Sequence, residues 1–544
     1  MEIQSNFIKT IMEQDLKNKK HDGIVTRFPP EPNGFLHIGH ARAIITNFEL
    51  AKNFGGHTNL RYDDTNPEKE DDVYVQSIKK DIEWLGYSPA NIYFASDYFD
   101  EMYERAIILI KKGLAYVDFQ SPEDMAKNRG DVKTPGVNSP YRDTSVEENL
   151  KIFEDMRAGK YKEGECVLRA KIDMASPNMN MRDPAIYRIV YANHHRQGDK
   201  WCIYPMYDYA HPLEDAIEGI THSLCSLEFE DHRPLYDWVV RETEIPSVPR
   251  QIEFGRLNVE NTVLSKRFLR ALVENHKVSG WDDPRMPTVS GMRRKGYTPD
   301  AIRNFILSTG LSKVNSTVSA DMLEASVRAD LQEKARRVMG VVNPLKVTIT
   351  NYPDDEIEYL DVLYHQNHEE MGSRKIPFSK HLYIEKDDFV LEKPNKKYKR
   401  LALGIEVRLF HAYFIKANEV KYDENGEIIE ILATYDPQTK SGSGFKDRKP
   451  NGTIHFVEAT TAKKVQINFY EPMILGDNSM DLMDRFNDQS LQVKYGYVEQ
   501  AIADTKPQDK YQFMRVGYFN VDDDSTKDKL IFNEIVPLKS SYKK

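Results

Sequence analysis

The stretch Arg27-Phe-Pro-Pro-Glu-Pro-Asn-Gly-Phe-Leu-His-Ile-Gly-His40 decides how the rest of the chain is interpreted. Ile24, Val25 and Phe28 predict a short buried strand, which the three following prolines cannot continue. Gly34 supplies a turn residue. Helical spacing then begins, with apolar residues at Ile38, Ala41, Ile44, Ile45 and Phe48. The stretch therefore predicts a strand, a rigid turn and a helix in immediate succession.

The residues after this helix complete a βαβ unit. Gly55 and Gly56 end the helical pattern, and a second strand is predicted from Thr58 to Asp63. An amphipathic helix over 71–85 and an aromatic strand near 92–94 continue the pattern. The N-terminal region is therefore predicted to be an α/β fold.

His37 and His40 lie in the first turn of the predicted helix. A helix that starts at the end of a strand presents unpaired N–H groups and a positive dipole end, and phosphate is the expected occupant. The two histidines share one face and could both donate to one phosphoryl group. Taken alone, the pair could instead cap the helix or bind a metal. Metal binding has little support, because Cys166, Cys202 and Cys225 show no Cys-x-x-Cys pairing with them.

Composition narrows the class of protein. The chain has 544 residues, of which 40% are hydrophobic and 29% charged, and this length predicts about three or four domains. It has no apolar run long enough to span a bilayer, and its N-terminus lacks the apolar core of a signal peptide. We expect no membrane association and a cytoplasmic location. The net charge of -10 is only weak evidence against a nucleic-acid partner, since an acidic protein can carry a local basic face.

The remaining pattern predicts an interrupted α/β domain followed by a β-rich region. Prolines and glycines break the regularity up to about residue 200, helical stretches occupy 267–338, and short alternating runs follow. The polar stretch 438–451 is predicted to be a long loop. The predicted segments are 1–97 and 207–257, the two halves of the α/β domain; 98–206, an α+β insert; 258–338, a helical connector; and 339–544, the β-rich part.

A second stretch, Val263-Leu-Ser-Lys-Arg267, carries a Ser-Lys pair. A lysine in a mobile loop can bring one cation beside a polyphosphate. Considered alone, such a pair is more often an ordinary surface loop.

Together the two stretches resemble the HIGH and KMSKS signatures of class I aminoacyl-tRNA synthetases, in their glutamyl/glutaminyl form. The matching residues are Pro30–His40 and Val263–Arg267, and the resemblance covers nearly the whole chain. It implies a multidomain α/β + β fold: a split Rossmann-type catalytic domain with an acceptor-binding insert, a helical connector and two C-terminal anticodon-binding β-barrels. Bacterial glutamyl members instead end in helical modules.

The resemblance also implies the reaction. L-glutamine and ATP would give glutaminyl-adenylate, and the acyl group would pass to the 2′-hydroxyl of the terminal adenosine of tRNA(Gln). ATP would arrive with Mg²⁺ as a substrate complex, no tightly bound metal is expected, and a monomer is expected. The family generally requires its tRNA for the first step. Two alternatives stay open: a β-barrel glutamyl enzyme, or a catalytically idle tRNA-binding paralogue, which His37, His40 and Lys266 disfavour.

The same resemblance assigns the ATP site. His37 and His40 would bind ATP and stabilise the α-phosphoryl group, and Lys266 would meet the migrating pyrophosphate, so these three are the predicted catalytic residues. The full predicted ATP site comprises Glu31, Pro32, Asn33, His37, Ile38, Gly39, His40, Ala41, Arg42, Ala43, Ser226, Arg256, Leu257, Leu264, Ser265 and Lys266.

For glutamine, the resemblance assigns Asp63 and Tyr207 to the amino acid and Gln251 to the same pocket through water. Cys225 would help to exclude glutamate, and Arg27 would lie near the pocket and need a balancing charge. Reading a side-chain amide requires both a donor and an acceptor, without an unpaired cation that would favour a carboxylate. Without the motifs, Tyr207 and Cys225 would be interpreted as core residues.

For tRNA, Asp231 matches a position that accepts from a guanine amino group in the acceptor-stem minor groove. Val132, in the loop 130–135, stands where the family has a leucine that separates the first acceptor pair. Phe410 replaces an arginine of the family, and an aromatic ring could stack there instead. The positions that match anticodon-contacting residues are Arg337, Arg400, Arg408, Gln512 and Arg515.

Overall fold

The computed structural model describes residues 2–68, 71–475 and 481–539. The chain forms two compact units. The first comprises Met1–Glu260 and Arg303–Val318, and the second comprises Asn261–Ile302 and Ser319–Lys544. The chain therefore leaves the first unit, returns to it for one short segment, and ends in the second.

Helices and short strands alternate in the first unit. Its helices are α1 (Phe7–Lys17), α2 (Ile38–Asn53), α3 (Asp72–Trp84), α4 (Phe99–Lys111), α5 (Pro122–Arg129), α6 (Val146–Arg157), α7 (Tyr207–Ile217) and α8 (Arg233–Glu242). Its strands are β1 (Val25–Phe28), β2 (His57–Tyr62), β3 (Ile92–Phe94), β4 (Ala115–Asp118), β5 (Val167–Ala170), β6 (Ala185–Ile189), β7 (Ile203–Pro205), β8 (His222–Ser226), β9 (Arg250–Phe254), β10 (Leu257–Val259) and β11 (Ser316–Val318).

The first unit contains a sheet of five parallel strands. β1, β2 and β3 pair in that order, and β8 pairs with β9. The backbone N–H of Thr221, just before β8, donates to the carbonyl of Val25 at 3.0 Å, which sets β8 beside β1. The resulting order, β9-β8-β1-β2-β3, is that of a doubly wound sheet, which binds ligands at the carboxyl ends of its strands. The predicted α/β fold of this region is confirmed.

A pair of glycines makes the turn from α2 to β2. Gly55 has φ +67°, a left-handed conformation that other residues rarely adopt. A Cβ atom on Gly56 would lie 2.0 Å from the carbonyl oxygen of Ile24, so only glycine fits this approach of the turn to β1. The predicted end of the helix is therefore confirmed, and β2 starts one residue before the predicted strand.

A four-stranded antiparallel sheet, β4-β5-β6-β7, lies within the predicted insert. Its core includes Phe99 of α4, Phe153 of α6 and Leu168 of β5, and the same core continues into Leu213 of α7 and Trp238 of α8. Residues on both sides of the expected boundary at 206 therefore share one hydrophobic core, and α7 links this sheet to the parallel strands.

The second unit is rich in strands, as predicted for the C-terminal third. Its helices are α9 (Lys266–Glu274), α10 (Val289–Lys295) and α12 (Ala320–Lys334), while α11 (Pro299–Ser308) spans the division between the units. Its strands are β12 (Arg336–Val338), β13 (Gly340–Val341), β14 (Pro344–Ile349), β15 (Glu358–Leu363), β16 (Ser373–Phe378), β17 (His381–Glu385), β18 (Phe389–Val390), β19 (Leu401–Ala402), β20 (Glu406–Leu409), β21 (Phe414–Tyr422), β22 (Ile428–Asp436), β23 (Thr453–Ile454), β24 (Val457–Glu458), β25 (Lys463–Tyr470), β26 (Leu491–Val498), β27 (Lys510–Phe513), β28 (Gly517–Val521) and β29 (Ile531–Pro537).

Two seven-stranded sheets dominate this unit. One has the order β23-β20-β21-β22-β14-β17-β24, and the other has the order β12-β27-β28-β29-β25-β26-β13. Each is packed on its own apolar core, the first around residues such as Phe378 and Ile415 and the second around Phe513 and Phe532. The polar stretch 438–451 forms no strand, as predicted.

The segment predicted as a helical connector contains α9 to α12 and also part of a two-stranded parallel pair, β10 with β11. Among the described residues, no helix combines the length and apolar character needed to cross a bilayer.

Candidate active site

His37 and His40 cap the helix that they begin. Nδ1 of His37 accepts from the backbone N–H of Gly39 at 3.1 Å, and Nδ1 of His40 accepts from the backbone N–H of His37 at 3.1 Å. An imidazole nitrogen that accepts a hydrogen bond carries no proton, so both rings hold theirs on Nε2. The ring centroids are 3.8 Å apart. The cap therefore orients two Nε2–H donors side by side at the start of α2.

Burial keeps His37 neutral. It lowers the pKa of the His37 imidazole to about 4, and the positive charge of Arg256 adds to this shift. At neutral pH the ring is therefore a donor without a charge of its own. Arg42 anchors the same helix. Its guanidinium donates to the hydroxyl of Thr309 at 3.0 Å and to the carbonyl of Gly310 at 3.1 Å.

The other predicted ATP residues of the first unit fall into two groups. Glu31, Pro32 and Asn33 form the turn between β1 and α2, where the side-chain amide of Asn33 donates to the Glu31 carboxylate. Ser226 ends β8 and Arg256 precedes β10, and both side chains bind Glu228. The remaining members belong to the first two turns of α2 or to β10, at Ile38, Gly39, Ala41, Ala43 and Leu257.

Lys266 and its neighbours belong to the second unit. Leu264 is half-buried, Ser265 is the N-cap of α9, and Lys266 is the first residue of that helix, with an exposed side chain. The hydroxyl of Ser265 accepts from the backbone N–H of Phe268 at 3.4 Å. The helix cap thus fixes the backbone of Lys266 and leaves its side chain on the surface of this unit.

Three predicted glutamine-site residues lie on one face of the parallel strands. Arg27 is on β1, Cys225 is on β8 and Gln251 is on β9. Nη2 of Arg27 is 3.6 Å from Sγ of Cys225. In the β8–β9 register Gln251 lies opposite Ser223, which is two residues from Cys225 and so shares its face. Because side chains alternate between the two faces of a strand, these three residues lie together on one face.

Arg27 is completely buried and its charge is balanced. Nε donates to Asp215 Oδ1 at 2.8 Å, Nη1 donates to the carbonyl of Leu224 at 2.9 Å, and Nη2 donates to Ser223 Oγ at 2.7 Å. Burial opposes ionisation of Asp215, but Arg27 and its neighbours hold the pKa of this carboxyl well below its usual value. The expectation that Arg27 needs a counter-charge is met by Asp215 of α7.

Tyr207 is the first residue of α7 and adjoins this network. Its ring lies 5.1 Å from that of His211 and 5.3 Å from that of Phe229. Nε2 of His211 is 3.1 Å from Nη2 of Arg27. Burial, with Arg27 adding to it, lowers the pKa of His211 to about 3, so this ring adds no charge to the pocket.

Gln251 and Cys225 supply neutral groups. Nε2 of Gln251 donates to the carbonyl of Phe229 at 3.2 Å and to Glu253 Oε1 at 2.9 Å, which fixes the amide. Burial raises the pKa of the Cys225 thiol, so the sulfur remains protonated at neutral pH. Apart from the paired Arg27, the residues gathered on this face therefore offer no cation.

Asp63 follows the last residue of β2 and is almost fully buried. Thr65 Oγ1 donates to its Oδ1 at 2.9 Å. Burial, with the nearby Glu31, raises the pKa of Asp63 to about 6. A carboxylate with this pKa is ionised at neutral pH and is poorly solvated, which favours binding of a cation.

A cluster beside Asp63 fixes the turn after β2. In the part of the chain that the structure describes, Asp64, His194 and His195 form the one group whose side chains lie close enough together to hold a metal ion. Both histidines are hydrogen-bonded to Asp64: His194 Nε2 lies 2.7 Å from its carbonyl oxygen, and His195 Nε2 lies 3.1 Å from its Oδ2. These bonds hold the backbone next to Asp63.

In the predicted insert, Val132 stands at the tip of a braced loop. Its side chain is 82% exposed. Nη1 of Arg182 donates to the carbonyls of Arg129, Asp131 and Thr134 at 2.8, 3.0 and 3.0 Å. The exposed apolar side chain is therefore presented from a fixed backbone.

Asp231 lies in the turn before α8, and its side chain is exposed. Its carbonyl accepts from Asn178 Nδ2 at 2.7 Å. The backbone is thus anchored while the carboxylate faces solvent.

In the second unit the predicted anticodon residues form two pairs and one separate residue. Arg337 of β12 lies opposite Gln512 of β27 in the parallel register. Arg400 Nε is 3.3 Å from Asp388 Oδ1, and Nη2 of Arg515 donates to the same atom at 2.8 Å. Asp388 is buried and therefore links the two guanidinium groups.

Arg408 is separate from these pairs. Its Nη1 donates to the carbonyl of Thr439 at 3.0 Å and to Ser441 Oγ at 2.9 Å. Its guanidinium carbon lies 4.3 Å from the centre of the Phe414 ring. Phe410 is half-buried against the core of the same sheet, so its ring is only partly available for stacking.

Sequence reasoning missed the residues that hold the predicted ones in place, among them Asp215, His211, Ser223, Arg182 and Asp388. Spacing could have found some of them: Tyr207, His211 and Asp215 are four residues apart on α7, and Ser223 alternates with Cys225 on β8. No local pattern indicates Asp388.

Family models match almost the whole chain. The catalytic domain of class I tRNA synthetases (E and Q) matches residues 23–333. Anticodon-binding domains of the same family match residues 335–436 and 453–522. The first match contains both signature stretches and every predicted ATP and glutamine residue.

Curated relatives match over their full length. A protein of Clostridium perfringens named glutamine–tRNA ligase is 59% identical over 100% of this chain and 99% of its own. One of Clostridioides difficile with the same name is 57% identical over 99% of this chain and 98% of its own. One of Idiomarina loihiensis, again of that name, is 52% identical over 99% and 97%.

Proposed function

The chain belongs to the class I tRNA synthetases of the E and Q group and joins glutamine to tRNA, and we propose that it does so in two steps at the carboxyl ends of the parallel strands. In the first step the carboxylate of L-glutamine attacks the α-phosphorus of ATP and forms glutaminyl-adenylate and pyrophosphate. In the second step the acyl group passes to the 2′-hydroxyl of the terminal adenosine of tRNA(Gln). The two-step route and the choice of hydroxyl follow the chemistry of the class.

His37 and His40 stabilise the α-phosphoryl group. The main evidence for this role is the helix cap. It leaves both Nε2–H groups as donors at the start of α2, where the helix dipole also favours an anion. Because the donors are fixed before charge develops on phosphorus, they need no reorganisation in the transition state. Glu31, Asn33, Ser226 and Arg256 belong to the same nucleotide site.

Lys266 compensates the charge that moves onto pyrophosphate. Its exposed position at the start of α9 supports this role, because a lysine ammonium on a flexible stem can reach a polyphosphate. Mg²⁺ would accompany ATP and offset the charge of its phosphate groups. It is part of the substrate complex, and we assign it no resident protein site.

Asp63 receives the ammonium of glutamine, and Tyr207, Cys225 and Gln251 form its side-chain pocket. The paired Arg27 supports the preference for glutamine over glutamate. Because its charge is already balanced by Asp215, a substrate carboxylate gains no free cation and would add an uncompensated buried charge.

The tRNA is bound by both units. Val132 acts as the wedge that opens the first acceptor pair, and Asp231 reads a guanine amino group in the acceptor-stem minor groove. The two seven-stranded sheets are the anticodon-binding barrels, with contacts from Arg337, Arg400, Arg408, Gln512 and Arg515. A monomeric state and a cytoplasmic location stay predictions of the sequence.

Pyrophosphate exchange with glutamine tests the first step. We expect exchange to require tRNA, because α7 carries Tyr207 and shares its core with the sheet of the insert, so RNA bound on the insert can adjust the pocket. A displacement of about 1 Å can change a rate on the order of a hundredfold. The samples are enzyme alone, enzyme with tRNA, and enzyme with tRNA lacking its terminal adenosine. Strong exchange without RNA would contradict the coupling.

A further inference from the structure

Arg182 connects the loop 130–135, which we call the wedge loop, to the segment 176–182. It follows the single helical turn Met179–Met181, and its side chain is almost fully buried. Its Nε donates to the carbonyl of Ser176 at 2.7 Å. Its Nη1 donates to three carbonyls in or next to the wedge loop, those of Arg129, Asp131 and Thr134. One guanidinium group therefore joins the two arms of the loop to a single neighbouring segment.

The guanidinium of Arg182 is bonded differently from that of its buried neighbour Arg169. Arg169 donates to the carboxylate of Asp118 at 2.7 Å. Among the described residues, the hydrogen bonds of Arg182 go to backbone carbonyls alone. An apolar residue at this position would avoid the cost of burying a cation, but it would leave the carbonyls of the wedge loop without donors. The bonding pattern therefore points to a role in fixing the loop.

The other contacts of the wedge loop are mostly internal. Oδ1 of Asp131 accepts from the backbone N–H groups of Lys133 and Thr134, both at 2.8 Å. Gly130 has φ +74°, and a Cβ atom there would lie 2.4 Å from the carbonyl oxygen of Thr134. These features set the shape of the loop but not its place on the surrounding sheet. The bonds of Arg182 set its place.

The segment 176–182 also holds the turn that carries Asp231. Nδ2 of Asn178 donates to the carbonyl of Asp231 at 2.7 Å. Oδ1 of Asn178 accepts from the backbone N–H of Asn180 at 2.9 Å, which fixes this side chain. The wedge loop and the turn of Asp231 are therefore anchored to one short segment, the loop through Arg182 and the turn through Asn178.

We propose that Arg182 is a positioning residue for opening the acceptor stem. It holds the wedge loop at a fixed distance from Asp231, so that Val132 meets the first acceptor pair while Asp231 reads the stem. This rests on the proposed roles of Val132 and Asp231. Separating paired bases costs free energy, and an apolar wedge offsets that cost only when its backbone is held against the RNA. Because Arg182 is buried, it acts through the loop and not on the RNA.

Two tRNAs test this inference: tRNA(Gln) with its first acceptor pair intact, and the same tRNA with one base changed so that the pair cannot form. Arg182→Met fills the buried position without hydrogen-bond donors. We expect its kcat/KM for charging the paired tRNA to fall on the order of a hundredfold, as for a group displaced by about 1 Å. For the unpaired tRNA the loss should be much smaller, because no pair has to be opened. An equal loss on both tRNAs would overturn the proposal.

The comparison does not depend on how much of the variant is folded, because both tRNAs are charged by one enzyme preparation. Arg182→Lys keeps the charge but lacks the fork of donors, so its loss on the paired tRNA should lie between those of the wild type and Arg182→Met. It provides the same comparison if Arg182→Met fails to fold. Lys133→Ala is the matched control. It removes an exposed cation of the wedge loop but leaves the bonds to Arg182 in place, so any loss should be the same on both tRNAs.

The outcomes separate this inference from the proposed wedge. If Val132→Ala lost the same activity on both tRNAs, Val132 would not be the wedge, and both proposals would fail. If the unpaired tRNA restored charging by Val132→Ala but not by Arg182→Met, only the role of Arg182 would fail. Arg182→Met should keep the preference for the base pair that Asp231 reads, because Asn178 still anchors that turn. Loss of this preference would indicate a general disturbance of the insert and would contradict the positioning role.

Discussion

The backbone N–H of His37 donates to Nδ1 of His40 at 3.1 Å. This bond shows that the pair caps the helix, and the cap is compatible with the phosphate-binding role that we propose. The Nδ1 atoms cap the helix, and for that reason the Nε2–H groups remain donors.

The two roles can be separated by His37→Asn. Asparagine is a good N-cap residue, so the helix should keep its stability, but the Nε2–H donor is lost. We expect pyrophosphate exchange to slow on the order of a hundredfold, as for removal of one preorganised donor. The thermal melting temperature should change little. A large loss of stability with an unchanged rate would mean that His37 only caps the helix.

Lys266→Ala should slow adenylate formation on the order of a hundredfold, because its cation is needed most as charge moves onto pyrophosphate. The exposed position of Lys266 predicts that the fold is unaffected. Single-turnover formation of glutaminyl-adenylate measures the effect. Lys277→Ala, another exposed lysine of the second unit, is the control and should keep the wild-type rate. An unchanged rate in Lys266→Ala would remove it from the catalytic residues.

Asp231→Ala should relax discrimination at one acceptor-stem base pair. The preference for the cognate pair should fall on the order of tenfold, since a carboxylate that accepts from guanine is lost while the backbone anchor to Asn178 remains. Charging of tRNAs with that pair substituted measures this effect. Glu230→Ala, next to it and also exposed, is the matched control. If cognate and substituted tRNAs lost activity equally, Asp231 would not read the base.

Much of the fold could be predicted because its signals are local. The prolines and glycines around 29–56 fix a strand, a turn and a helix within a few residues, and the short alternating runs after 339 predict strands. The residues that hold the site residues in place lie far from them in the sequence. Arg27 meets Asp215, 188 positions away, and Asp388 joins Arg400 to Arg515. Such pairs follow from sheet register and helix packing, which no short stretch encodes.

Stability should depend on pH through His211. Its pKa is lowered to about 3 in the folded protein, mainly by burial, against about 6.5 when unfolded. Below pH 6.5 the unfolded chain takes up a proton that the folded chain refuses, so stability is lost as pH falls toward 3. A single group contributes up to about 1.4 kcal/mol per pH unit.

The measurement is the urea midpoint between pH 7 and 4.5. The midpoint of the wild type should fall, and that of His211→Asn should fall less over the same range. His57→Asn removes an exposed histidine and should behave like the wild type. Equal slopes in all three proteins would contradict the expectation for His211.

We expect a pocket in which the charge of Arg27 is already balanced to accept glutamine in preference to glutamate. The most direct test is steady-state charging of one tRNA(Gln) preparation with glutamine and with glutamate, compared as kcat/KM. We expect a preference for glutamine on the order of 10³ or more, because glutamate would bury an uncompensated charge. Equal charging with both amino acids, or a preference for glutamate, would contradict it.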